Sequence, residues 1–106
     1  MINRAAAKHN CLEAGYYIQP LEYGRACHFE SSFYYDQNKT EEVNNICNLY
    51  AELGESVIES GGFITRPYGI LSNMVYSRAP EYATALKKVK KLLDPNNVMA
   101  PGRLGI

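Results

Sequence analysis

The sequence has no tryptophan, only three cysteines and no excess of charge of either sign, and each shortage removes a class of function. Eleven basic residues balance eleven acidic ones, so no net field draws the chain to nucleic acid or to an anionic membrane. Cys11, Cys27 and Cys47 are widely spaced and lack the paired spacings of a zinc site or a redox dithiol. They read as reduced, mostly buried thiols, and no metal site is expected. The apolar runs fall far short of the ~20 residues that span a bilayer, and the N-terminus lacks the pattern of a signal peptide. A cytoplasmic location is the default expectation. No glycine-rich phosphate loop leads into a helix, so a self-sufficient dinucleotide site is not expected either.

What is present is a folding composition. Hydrophobic residues make up 46% and charged residues 21% of the 106, which is the globular range. At this length one domain is expected, residues 1–106, with no repeat or linker. Tyrosine is unusually frequent, with nine copies. Tyr16, Tyr17, Tyr23, Tyr34 and Tyr35 crowd one span, giving flat surfaces with a polar tip for a half-buried sheet or an aromatic pocket.

Periodicity predicts the elements. The alanine-rich stretch 2–14 reads as a helix stopped by Gly15, and Tyr16 to Pro20 as a short strand. Residues 25–35 form the clearest strand, with Cys27, Phe29, Phe33 and Tyr35 on a core face and His28, Glu30, Ser32 and Tyr34 on a pocket or solvent face. After a turn at 36–40, a helix with Asn38 or Thr40 as its cap runs to about Ser60. Its apolar stripe is Val43, Ile46, Tyr50, Leu53 and Val57, and Gly61-Gly62 ends it. Phe63-Ile64-Thr65 reads as a third strand, followed by a turn at Arg66-Pro67-Tyr68-Gly69. A last helix covers about 80–93, with Tyr82, Leu86, Val89 and Leu93 packed and the lysines, Lys90 among them, solvated. The sum is an α+β fold, a small antiparallel sheet covered by helices.

The most informative passage is the tail, Asp94-Pro95-Asn96-Asn97 followed by Pro101-Gly102-Arg103, where turn residues cluster behind a lysine-rich helix. It resembles the closing motif of FAD-linked oxidases of the vanillyl-alcohol oxidase and 4-cresol dehydrogenase type. Two upstream stretches add to the likeness. Gly24-Arg25-Ala26-Cys27-His28-Phe29-Glu30 with Phe33-Tyr34-Tyr35-Asp36 is similar to the strand that passes the substrate in that branch, and Gly61-Gly62-Phe63-Ile64-Thr65-Arg66 to the later strand that carries an arginine into the pocket. The resemblance covers nearly the whole chain. It implies part of the substrate, or cap, domain, with the FAD-binding domain and the flavin-attachment residue lying before Met1.

The resemblance also implies a chemistry. Such enzymes pass a hydride from the benzylic carbon of a para-substituted phenol to flavin, leaving a quinone methide. Cationic donors that hold the phenolate in a poorly solvated cavity lower that barrier, and arginine presents a charged fork of donors for the purpose. On the family pattern Arg66 is the catalytic phenolate-binding arginine. Arg103 sits near both the flavin and the substrate oxygen. His28 is a catalytic pocket histidine oriented by Glu30, and Tyr68 adds to the substrate-binding set. One departure stands out: Thr65 replaces the tyrosine that phenol-oxidising members place before the arginine. The glycolate and D-lactate dehydrogenases carry a His-Gly pair after a similar Gly-Gly strand, and Tyr68-Gly69 here speaks against a 2-hydroxy acid site.

The expectation is therefore a C-terminal fragment or subunit of an FAD-dependent oxidoreductase acting on an aromatic, para-phenolic small molecule, silent by itself and dependent on an FAD-binding domain or subunit. The competing expectation is a small α+β interaction module, a homodimeric remnant that keeps the fold without the catalysis.

Overall fold

The computed structural model describes the backbone of all 106 residues and every side chain except those of Glu13 and Ala14. Two strands and four helices form an α+β chain: α1 (Ile2–Lys8), β1 (Leu12–Leu21), β2 (Ala26–Tyr34), α2 (Thr40–Glu59), α3 (Ile70–Arg78) and α4 (Pro80–Leu93). They fall into two compact units, Met1–Leu53 and Gly54–Ile106, with α2 crossing the division.

In the first unit β1 and β2 pair antiparallel, with Tyr17 opposite Glu30, Ile18 opposite Phe29 and Gln19 opposite His28. A tight turn, Glu22–Gly24, joins them. Glu22, Tyr23 and Gly24 are all left-handed there, with φ of 52°, 57° and 85°, and only the glycine is free of the steric cost. The expected strand at 25–35 agrees with β2 to within a residue.

The N-terminal helix is shorter than the expected 2–14. Asn10 takes φ 53°, a conformation asparagine tolerates, and the Cys11 N–H then donates to the Ala6 carbonyl at 2.9 Å. That closes the helix six residues early, as a left-handed cap does. Beyond Lys8 the α1 end is tied to α2, because Glu52 Oε2 accepts from Lys8 Nζ at 2.6 Å and from His9 Nε2 at 2.8 Å. The Lys8 bond and then the His9 bond hold the Glu52 carboxyl below its ordinary pKa.

The start of α2 is anchored by Glu42, whose carboxylate accepts the Asp36 N–H at 2.7 Å and Lys39 Nζ at 2.8 Å. The packed line of this helix differs from the expected one. Leu49 is the buried centre at 1% exposure and Tyr50 is turned out at 45%. A helix advances 100° per residue, so the two neighbours point to different sides.

In the second unit α2 ends as the paired glycines predict. Gly61 adopts φ 83°, and its partner Gly62 donates to the Val57 carbonyl at 2.8 Å. A Cβ on Gly62 would lie 2.6 Å from Val57 Cγ1 and 2.9 Å from its carbonyl oxygen. The expected third strand at 63–65 does not form: the segment is irregular, with a bend at 65–66. Three residues between a helix cap and a proline have no neighbouring strand to share hydrogen bonds with. Phe63 packs edge-on against Tyr82 instead, with ring centres 5.9 Å apart.

The helix α3, unanticipated, follows Gly69. Leu71, Ser72 and Val75 are its buried residues, and Leu71 sits where a Cβ on Gly54 would be, 2.2 Å from Leu71 Cδ2. The last helix matches its expected span and has Pro80 in its first turn. Its packed side does not match. Ala83 is buried, whereas Val89 and Leu93 are 52% and 75% exposed. The buried line of α4 continues instead to Lys90 and Asp94.

Candidate functional site

The expected site residues are divided between the units: His28 and Glu30 lie in the first, and Arg66, Tyr68 and Arg103 in the second. His28 and Glu30 share a face of β2 two residues apart, and His28 Nε2 lies 3.0 Å from Glu30 Oε1. The strand's two-residue period brings them together as the sequence implied. The Tyr17 ring meets the His28 imidazole edge-on, 6.1 Å between centres.

The surrounding sheet is open. Phe29 and Tyr35, expected on a core face, are each 42% exposed. Cys27 on the same face is exposed, as is Cys47, while Cys11 is partly covered. The expectation of mostly buried thiols is thus corrected for Cys27 and Cys47. Cys11 differs: burial pushes its thiol pKa up, and Sγ lies 3.5 Å from the His9 carbonyl oxygen. A protonated, shielded thiol is a poor nucleophile.

A cavity of about 120 Å³ lies beside Cys11, lined also by Asn10, Tyr34, Tyr35, Glu42 and Asn45. Small-molecule sites usually run to roughly 300–1,000 Å³. This space is therefore too small for a flavin ring system.

In the second unit the tail brings one pair of predicted residues together. The Arg103 guanidinium lies over the Tyr68 ring, 5.3 Å from its centre, within range for a cation–π contact. Arg66 stands at the exposed bend before Pro67, which is buried. The path of the tail explains the position of Arg103. Asn97, Ala100, Gly102, Leu104 and Gly105 are all left-handed, so the chain winds tightly instead of trailing away. Near its end Gly105 sits against α3, where a Cβ would fall 2.6 Å from Ser72 Oγ. Ser72 Oγ donates to the Gly69 carbonyl at 2.7 Å.

Sequence reasoning missed the group that organises this tail. Asp94, 6% exposed, accepts Lys90 Nζ at 2.5 Å, the Val98 N–H at 2.8 Å and the Met99 N–H at 2.9 Å. Lys90 Nζ also donates to the Met99 carbonyl. Lys90 is therefore no solvated lysine: its side chain is 20% exposed and paired with a carboxylate that is 3% exposed. The Lys90 bond is the chief reason the Asp94 carboxyl sits below its ordinary pKa. A lysine four residues before an aspartate, at a helix end followed by proline, was the available signal.

A second buried polar group is Tyr76, whose hydroxyl has no hydrogen-bond partner among the described residues. Burial and then the nearby Tyr82 push its pKa up, so it stays a neutral phenol. The rings of Tyr76 and Tyr82 are 6.4 Å apart.

The C-terminal tail thus lays an arginine on a tyrosine within an α+β chain. Comparison with known families gives the class: the family model described as FAD linked oxidases, C-terminal domain, matches residues 4–104. The chain belongs to that family and is thereby part of an FAD-dependent oxidoreductase. No curated protein and no solved structure matches it.

Proposed function

We propose that this chain supplies the phenolate-binding side of the active site in an FAD-dependent oxidoreductase acting on an aromatic, para-substituted phenol. Arg103 and Arg66, both in the second unit, hold the phenolate oxygen. The observation that carries the reading is the Arg103 guanidinium stacked at 5.3 Å on Tyr68, on a chain that belongs to the FAD-linked oxidase family.

A guanidinium over an aromatic ring keeps its donor edge available while its flat face is covered. A phenolate oxygen meeting that edge would be stabilised relative to the phenol, and electron density would move toward the para carbon. The Tyr68 ring beside it offers a flat apolar surface for the aromatic body of the substrate. FAD, which gives the family its name, is the hydride acceptor in this reading. Its binding is assigned to a partner domain or subunit, with Arg103 as this chain's contribution to the cofactor's surroundings.

The reading is tested by co-expressing this chain with an FAD-binding portion and measuring turnover of para-alkyl phenols. Replacing Arg103 with Met should lower kcat/KM by about 10²–10³-fold, the usual loss when one preorganised donor to a developing oxyanion is removed. Turnover of 2-hydroxy acids with no response to phenols would end the phenolic reading and leave the flavin chemistry. The competing reading, a self-associating interaction module, is favoured by the exposed hairpin. It would be supported by a chain that binds its own copies and never recruits a flavin-bearing partner.

A further inference from the structure

We infer that Asp94, through its ion pair with Lys90, is the positioning residue that sets Arg103 on Tyr68. The inference deepens the proposed role of Arg103 as an anion-binding group. Its geometric part stands on the chain alone.

Asp94 closes α4 and is almost fully buried, yet it carries a charge. A buried carboxylate is tolerated only when its lone pairs are satisfied, and here three donors do so: Lys90 Nζ and the N–H groups of Val98 and Met99. Two of these donors belong to the tail itself. Lys90 completes a ring by donating to the Met99 carbonyl as well. The clamp therefore fixes the backbone at Met99 relative to α4.

Between Met99 and Arg103 there is no slack. The Arg103 N–H donates to the Ala100 carbonyl at 3.1 Å, closing a turn in which Ala100 and Gly102 have φ of 45° and 74°. An orientation fixed at Met99 is thus handed on to Arg103 through one hydrogen-bonded turn. A rival anchor exists beyond Arg103, where Gly105 rests on Ser72. That contact, against Ser72 and Tyr76 of α3, is a close approach without charge. The satisfied charge cluster upstream is the stronger constraint.

The experiment is side-chain NMR of Arg103 in the full chain. A guanidinium side chain over the face of a tyrosine has its methylene protons shifted upfield by the ring, and Tyr68→Leu, which removes the ring, calibrates that shift. Asp94→Ala and, separately, Lys90→Met should both abolish it while the amide signals of α3 and the ring signals of Tyr76 and Tyr82 stay in place. Persistence of the upfield shift in either variant would mean that Gly105 and Ser72 hold the arginine, and would overturn the inference. Collapse of the α3 and α4 signals in both variants would also overturn it, because the pair would then support the whole unit and not the tail.

In the flavin-loaded assembly the same Asp94→Ala change should lower kcat/KM by about 10²-fold, as displacement of a positioned group by an ångström can. Lys90→Met should cause a comparable loss, and Lys90→Arg, which keeps a cation facing Asp94, should retain most of the activity. Titration of the wild-type assembly with para-cresol reads the role of Arg103 separately: no perturbation of its resonances would remove the phenolate reading while leaving the positioning result intact.

Discussion

Single residues in this chain are constrained in ways their identity alone does not disclose. Glycine is the clearest case. At Gly54 an added Cβ would meet Leu71 Cδ2 at 2.2 Å, the far end of a side chain and not backbone, and alanine also improves helix propensity by about 1 kcal/mol. At Gly62 the clash includes the Val57 carbonyl oxygen at 2.9 Å, which is backbone and cannot swing aside. Gly62→Ala is therefore expected to destabilise by about 1–3 kcal/mol, and Gly54→Ala by less, measured as denaturation midpoints of the two variants. The reverse order would mean that the α2–α3 contact is the tighter one. Asp94 has a pH signature. Its folded pKa is depressed, mainly by the Lys90 bond, so its contribution to stability is present above the unfolded carboxylate range, about 3.9, and is lost as pH falls through the lower folded value. The stability gap between the wild type and Asp94→Asn should be full at neutral pH and shrink only below about pH 4. A gap unchanged down to pH 2 would show that the ion pair contributes nothing. The same residue marks the limit of sequence reading at the site. His28 with Glu30 was legible because a strand's period is local, whereas the burial of Asp94 depends on a tail folding back over its own helix, and no periodicity records that.

Elements were readable where their signals were local. The start of α4 follows from Pro80, the end of α2 from Gly61-Gly62, and β2 from the two-residue spacing of Cys27, Phe29, Phe33 and Tyr35. The failures share a cause, since a strand or a packed face exists only if something lies beside it. Phe63-Ile64-Thr65 has strand-like residues, but its aromatic ring finds Tyr82 and no strand lies alongside. In α2 two adjacent candidates, Leu49 and Tyr50, fit similar helical stripes, and only packing selected Leu49 as the fully buried one. Leu49→Ala should accordingly cost about 2–5 kcal/mol, the range for emptying a leucine-sized core site, whereas Tyr50→Ala, half-exposed, should cost distinctly less. Equal losses in thermal unfolding would contradict the burial seen here. The hairpin is the opposite extreme. Two strands alone are marginal in water, and Tyr17, Ile18 and Tyr34 are 52%, 62% and 77% exposed. Native-state hydrogen exchange should therefore find the β1–β2 amides opening at lower free energy than those around Leu49. Protection of the hairpin equal to that of α2 would require a covering layer.

At the scale of the whole molecule the imbalance between covered and uncovered apolar side chains is the main physical fact. Among the described residues the buried hydrophobic set consists of Ala5, Ala6, Leu49, Leu71, Val75 and Ala83, half of them alanines, which contribute little transfer free energy. Against these, Leu92, Leu93, Val98 and Met99 are exposed at 81%, 75%, 76% and 65% around the end of α4. Exposed apolar groups gathered at one place mark contact surfaces more often than accident, and membership of the C-terminal domain family of FAD-linked oxidases gives a reason for one. We assign these side chains to the contact with the FAD-binding portion proposed above. Isolated chain should then self-associate with rising concentration and bind hydrophobic dyes, both effects falling when Leu92, Leu93 and Val98 are replaced together by Ser. Sedimentation velocity over a wide concentration range makes the distinction. A persistent monomer would show that these side chains are harmless surface, and that the small buried core suffices by itself. Association that vanishes in the triple variant, and also in the presence of the flavin-binding portion, would assign the same surface to both contacts, because one patch cannot be covered twice.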